Sequence, residues 1–232
     1  MDLTRLTRAS HRQDRPTIAF CGGLTLLAGR THELCGPARR RLALWVARAT
    51  AGPVMWIRPA WHPDRLHMAG VSQDIAPDRL LFVEAARPAD LLWSMEEALR
   101  SGAVPLVVGD FPDPPALTPV RRLHLAAEAG AAATGRAPLA LLLTPGEGGA
   151  PGIETRWRLE PAHTTPDHAE WSLKRLRARH APPATWRIRR GANTTPEIAS
   201  RAGTDAPAQS QPPMSGPRAS CPVSPAIREI PG

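Results

Sequence analysis

Apolar residues in this chain fall into short runs of strand length, separated by stretches with helical spacing. Pro53 to Ile57, Leu80 to Val83, Val104 to Val108 and Leu139 to Leu143 are compact runs that read as strands. His32 to Cys35 is a shorter approach to Gly36-Pro37, and Leu42 to Ala47 after it suit a buried helix. Pro88 opens a second helix with Leu91, Leu92, Met95 and Leu99 on one side, and Ser101-Gly102 closes it. Thr118-Pro119 reads as an N-cap and N1 proline, with Val120, Leu123 and Ala127 inward and an end near Gly130. This alternation predicts an α/β domain with a mostly parallel sheet flanked by helices. Thr155 to Glu160, Trp171 to Arg177 and Thr185 to Arg189 alternate more strictly and include Pro182-Pro183. They predict a terminal antiparallel meander or hairpin.

The ends differ from this middle. Residues 1–15 are polar, carry four arginines and lack an apolar signal core, so they read as a flexible arm. Residues 191–232 are rich in Pro, Ser, Ala and Thr and poor in large apolar side chains, which predicts a disordered tail. The domain is expected over 16–190. No run is long enough to predict a membrane span, and three cysteines without a CxxC pair fit a reducing cytoplasm. The net charge of +8 is almost all arginine, Lys174 being the sole lysine. Residues 16–155 carry 13 basic and 13 acidic residues, whereas 156–190 carry nine basic and three acidic. That excess predicts contact with phosphate or an acidic protein surface, or a solvated basic strand face. Cys21, His32 and Cys35 lack metal-ligand spacing, and His62 and His67 do not share a helical face, so no metal is expected.

The segment Gly70 to Pro119 resembles the recombinase RecA in the order and spacing of its parts. A Gly-Val start leads to the strand at Leu80, a helix ending ALRSGAV, a strand reaching Asp110, and ALTP. Glu33-Leu34-Cys35-Gly36-Pro37 stands where RecA proteins enter their phosphate loop, and KRLRARHAPP (Lys174 to Pro183) is similar to the basic strand near the end of the RecA core. A closer resemblance is to the ImuA family, on HELCGPARRRLALW (His32 to Trp45), GPVMWIRPAW (Gly52 to Trp61), LLWSMEEALRSGAVPLVVGD (Leu91 to Asp110), TPVRRLHLAAEAGAA (Thr118 to Ala132) and TRWRLEP (Thr155 to Pro161). It implies a degenerate RecA core in a DNA-repair accessory protein of mutagenic translesion synthesis. The implied partners are a Y-family-like polymerase homologue of the ImuB type, an error-prone replicative polymerase and RecA itself, with DNA contact weak or indirect.

The chemistry of ATP hydrolysis is missing from this sequence. A phosphate loop needs closely spaced glycines, a lysine and a Ser/Thr hydroxyl. Here Gly36-Pro37 is followed by Ala38-Arg39-Arg40-Arg41-Leu42-Ala43. Arg58 to Trp61, where the resemblance would put the water-activating carboxylate, holds none. No catalytic residue and no cofactor is expected. Asp110 has a Walker-B-like position or is a loop or helix-capping aspartate. Arg39, Arg40 and Arg41 read as a solvent-exposed turn, a polyanion site at a helix N-terminus, or a docking patch. Arg121 and Arg122 at the next helix start, and Lys174, Arg175, Arg177 and Arg179 on the late strand, are the candidate partner or phosphate contacts. The short segments between Asp110 and Thr118, and from Thr144 to Thr155, lack basic residues, which argues against autonomous DNA binding. Trp45, Trp56 and Trp93 are expected in the core; Trp157, Trp171 and Trp186 read as sheet packing or base stacking. An ATP-dependent recombination or repair enzyme and an SOS cell-division inhibitor are the alternative readings.

Overall fold

The computed structural model describes residues 16–163, 169–191 and 195–202. A two-stranded hairpin comes first, β1 (Thr17–Phe20) and β2 (Leu24–Leu27). Nine strands then form one sheet: β3 (Thr31–Cys35), β4 (Val54–Pro59), β5 (Leu80–Ala85), β6 (Leu106–Asp110), β7 (Leu139–Leu143), β8 (Thr155–Pro161), β9 (Ala169–Ala178), β10 (Ala184–Arg190) and β11 (Glu197–Ala202). Their order across the sheet is β11-β10-β9-β8-β3-β7-β6-β4-β5. From β8 to β5 every pairing is parallel, and from β8 to β11 every pairing is antiparallel. The expected α/β architecture, a large mostly parallel sheet with a terminal antiparallel region, is therefore present.

The sequence explains the two halves. β6 and β7 are buried along their whole length, as strands covered on both faces must be, and they are apolar up to the Gly109-Asp110 end of β6. Helix α3 (Pro88–Ser101) and helix α4 (Leu117–Thr134) cover one face over Ile57, Val107, Ala140 and Leu142. They pack so closely that a Cβ on Gly130 would stand 2.1 Å from the Leu99 carbonyl oxygen. Gly102 ends α3 in the left-handed conformation, as the Ser101-Gly102 signal predicted. Helix α1 (Arg39–Arg48) crosses the other face, with the short helix α2 (Met68–Val71) farther along it. Six consecutive residues of α1, Leu42 to Ala47, are buried because the β1–β2 hairpin covers its outer side.

The tryptophans of the antiparallel half belong to the core. Trp157, Trp171 and Trp186 are buried, and Trp45 meets Trp171 edge-on at 5.0 Å, a favoured aromatic geometry. Arg175 lies over the rings of Trp157 and Trp186 at 5.6 and 5.2 Å.

Three expectations are corrected, and one element went unpredicted. Trp93 is 62% exposed: it stands on α3 away from the side carrying Leu91, Met95 and Leu99. Helix α4 starts at Leu117, one residue before Thr118, and no side chain caps it. The hairpin at 17–27 went unpredicted, its strands being only four residues long. The tail boundary at 191 falls too early, because Glu197 to Ala202 complete the sheet as β11. Pro196 is buried there, and Ile198 packs against the hairpin turn at Gly22 and the core. The expected arm at 1–15 and the rest of the tail lie outside the described residues.

Three buried polar side chains tie the sheet to its loops. Glu33 in β3 accepts hydrogen bonds from Thr144 Oγ1 (2.7 Å) and the amides of Gly149 (2.8 Å) and Ala150 (3.1 Å), and its second oxygen binds Arg156. The neighbouring His32 places Nδ1 2.7 Å from Thr155 Oγ1, which also accepts from Trp157 Nε1, and Nε2 3.0 Å from the Leu27 carbonyl. His124 on α4 accepts from the Thr31 amide through Nδ1, which leaves Nε2 to donate to the Gly152 carbonyl.

These imidazoles generate a pH dependence. Burial holds both neutral and pushes each pKa down to about 4. The unfolded chain takes up these protons near pH 6.5, before the fold does, so the stabilisation is complete above that pH. It is lost as pH falls toward about 4, by up to about 3 kcal/mol per histidine. Urea unfolding from about pH 7 to 4.5 should show this decline, and His124→Gln should make it shallower; a flat profile would refute it. A second expectation concerns β11. Ending the chain at Thr195 uncovers β10 and Ile188, and should lower stability by about 2 kcal/mol. An unchanged melting temperature would show that β11 carries no weight.

Candidate functional site

The C-terminal ends of β3, β4, β6 and β7 open on one edge of the sheet, the usual place for a ligand crevice in a parallel α/β fold. Arg39 and Arg40 arrive there in the first turn of α1, Arg58 near the end of β4, Asp64 from the loop beyond it, and Asp110 at the end of β6. With Pro59, His62, Phe111, Pro112 and Pro145 they enclose a cavity of about 120 Å³. The fold thus joins the Gly36 loop and Asp110, which are far apart in sequence.

Carboxylates of the chain itself occupy the basic groups. Arg40 Nε donates to Asp110 Oδ2 at 2.6 Å, and its Nη1 donates to Asp64 Oδ2 at 3.0 Å. Arg39 lies 3.8 Å from the other Asp110 oxygen. Arg41 turns away from the cavity and pairs with the buried Asp74 at 2.7 Å, which also binds Arg190 at 2.7 Å. Arg58 binds Glu84. Burial works against the Arg40 charge, but the field of Asp110 and hydrogen bonds to both aspartates override it, so its pKa lies above the ordinary value. The Asp64 carboxyl is held below its ordinary range by the hydrogen bond from Arg40. The solvent-exposed reading of the arginine triplet is therefore wrong, and Asp110 caps no helix; it is the shared counter-charge of Arg39 and Arg40.

The loop has the same closed character. Gly36 takes φ 86°, and a Cβ there would come within 2.7 Å of the Leu159 carbonyl oxygen, so only glycine fits. The Gly36 amide donates to Gly146, the Ala38 amide to Leu159 and the Arg39 amide to Gly36, at 3.0, 3.1 and 3.3 Å. Pro37 has no amide hydrogen. A phosphate cradle works by aiming such amides at the ligand, and here these three end on backbone carbonyls. Helix α1 has no side-chain cap and no acidic residue in its first turn. Asp64, Asp74 and Asp110 supply from elsewhere the negative charge that the helix start favours.

The remaining sequence candidates are dispersed. Arg122 pairs with Glu96 at 2.7 Å, whereas Arg121 faces a groove beside α4. Lys174, Arg175, Arg177 and Arg179 do not form one surface. Lys174 joins Glu160 at 3.1 Å, while Arg175 points to the opposite face, over the tryptophans, and donates to the Pro182 carbonyl. A register shift between Arg156 and Trp157 sets Arg177 opposite Arg156, on the Lys174 side, where it is exposed. Arg179 lies 3.5 Å from Glu154 and donates to Gly152. The thiols of Cys21 and Cys35 are pushed up to about 12 by burial, which makes them unreactive. The missed participants are Asp64, Asp74 and Glu33, single acids with no local pattern to mark them. No family model matches this chain, and no curated protein matches it.

The pairing has a measurable consequence. Asp110→Asn leaves Arg39 and Arg40 facing a neutral, buried side chain and should cost about 2 to 4 kcal/mol in urea unfolding. Asp64 is half exposed, and Asp64→Asn should cost under about 1 kcal/mol. Equal losses would show that burial does not strengthen the Asp110 pair.

Proposed function

We propose that this chain is a non-catalytic accessory protein of damage-induced, mutagenic translesion DNA synthesis, built on a degenerate RecA-like core and acting through protein contacts. The observation that carries the reading is the state of the loop at Gly36. The resemblance to RecA and ImuA proteins assigns that loop and Asp110 to one nucleotide site, and they do lie together at the strand ends. Yet the loop amides donate to Gly146, Leu159 and Gly36, and Asp110 is bound to Arg40. Binding a triphosphate would require breaking these bonds, and the loop has no lysine to offset their loss. The same facts oppose an ATP-dependent repair enzyme. The partners in this reading are an ImuB-type Y-family-like polymerase homologue and an error-prone replicative polymerase, with RecA a further contact, in the cytoplasm.

Four measurements test it. Isothermal titration with Mg-ATP should give no micromolar binding, and turnover should equal the protein-free control. Deleting the gene should reduce mutants recovered after ultraviolet exposure, and the purified chain should retain its polymerase partner in a pull-down. Undiminished induced mutation in the deletion strain would overturn the translesion reading, and micromolar Mg-ATP binding would overturn the reading of a closed site.

A further inference from the structure

We propose that the outer side of α4, with the loop tip beside it, is a docking groove for a partner segment that presents apolar side chains flanked by carboxylates. The proposal rests on the reading that this chain works through protein contacts. On α4, Leu117, Arg121 and Leu125 recur every fourth residue and form one stripe about 12 Å long. The two leucines are 37% and 64% exposed, although the helix has ample buried positions in Val120, Leu123, Ala126 and Ala127. With Arg30 and Arg179 the stripe lines a groove of about 350 Å³.

The walls of this groove are fixed in the fold. Leu117 lies so near Gly152 that a Cβ there would meet its Cδ1 at 2.7 Å. Arg179, just past β9, donates to the Gly152 carbonyl at 3.3 Å, and His124 holds the same carbonyl from below. Three guanidinium groups, those of Arg30, Arg121 and Arg179, line the groove; Arg30 pairs with Glu128 at 2.6 Å and Arg179 lies 3.5 Å from Glu154. Midway between the exposed leucines, Arg121 has no ion-pair partner among the described residues.

That pattern selects its occupant. A segment with leucine-like side chains would cover Leu117 and Leu125, and a carboxylate between them would meet Arg121. Nucleic acid matches the charge but offers a phosphate backbone nothing to place on the leucines. A second copy related by two-fold symmetry would bring Arg121 of each chain toward the same basic groove.

The test uses the full chain and a fluorescein-labelled helical peptide of about 16 residues with leucine at every fourth position and glutamate beside each. The control peptide has lysine in place of glutamate. Anisotropy should show the glutamate peptide binding at least about tenfold tighter than the lysine peptide. Arg121→Glu should erase that preference, Leu125→Ser should weaken binding about fivefold, and Arg48→Glu, exposed at the end of α1 on the other face of the sheet, should leave it unchanged. All three positions are exposed, and unaltered melting temperatures would confirm intact folding. Equal affinity for the two peptides, or wild-type binding by Arg121→Glu, would overturn the proposal. So would displacement of the peptide by a single-stranded oligonucleotide at a lower concentration than unlabelled peptide, or self-association that Arg121→Glu abolishes. If Arg121→Glu retains the polymerase partner as the wild type does, the groove assignment fails and the translesion reading stands. If the groove selects the peptide while the deletion strain mutates normally, the translesion reading fails and the groove stands.

Discussion

A carboxylate sealed inside a sheet loses several kcal/mol of hydration, and it stays charged only where donors converge on it. Glu33 has four such donors, and each comes from a different point along the chain that follows β7. Thr144 follows that strand, Gly149 and Ala150 lie in the loop after it, and Arg156 is the second residue of β8. The side chain therefore sets the path of the whole connection and the parallel placement of β8 against β3. Gly148 has no room for a Cβ, which would stand 2.7 Å from the Glu33 carboxylate. Everything on the antiparallel side, including the tryptophan cluster and β11, is positioned through β8. So is Gly152, whose carbonyl joins α4 to Arg179.

The same principle governs the strand ends. Three arginines in the first turn of a helix oppose its dipole and repel one another, so α1 as a local sequence is poorly designed. The structure resolves this with three aspartates from three other segments. Arg40 shares Asp110 and Asp64, and Arg41 shares Asp74 with Arg190. Asp110 and Asp74 thus each serve two arginines, and Asp64 gives Arg40 a second carboxylate. In this loop the amides of Gly36, Ala38 and Arg39 end on carbonyls, and the guanidinium groups of Arg40 and Arg41 end on carboxylates. The arrangement stabilises a shape, and it does so at the place where a parallel α/β sheet commonly binds a ligand.

How much of this was legible follows from which interactions are local. Leu139 to Leu143 could be read as a strand because a centre strand is apolar at every position, and Ser101-Gly102 because a left-handed helix end needs glycine. The hairpin at 17–27 is short and carries its only signal in Gly22-Gly23, which composition alone did not distinguish from a loop. β11 lies in a Pro- and Thr-rich stretch whose content predicts no core, and its strand character comes from the open edge of β10. Trp93 shows the reverse error, a large apolar residue assigned inward by type although its helical position faces solvent. The partners of the arginine triplet lie 24, 33 and 70 residues away, at separations that no spacing rule encodes. A sequence displays which charges exist; only the fold says which are already paired.

That distinction changes the meaning of the basic excess in 156–190. Counted as a segment it looks like a binding surface, but its counter-charges come partly from outside the segment. Arg156 belongs to Glu33, Arg158 to Glu147 and Glu160, Arg179 to Glu154, and Arg187 and Arg189 to Glu170. A guanidinium already held by a carboxylate must share or surrender it before it can serve a partner, and an exposed pair gains little by the exchange. What a partner meets first is the uncompensated remainder, which steers encounter and sets orientation. Within the segment Arg177 is such a remainder and outside it Arg121 is another, but Arg177 stands on a strand, whereas Arg121 stands between two exposed leucines. Charge alone attracts, and charge beside removable apolar surface can also hold, so the number of arginines along a stretch of chain predicts its role poorly.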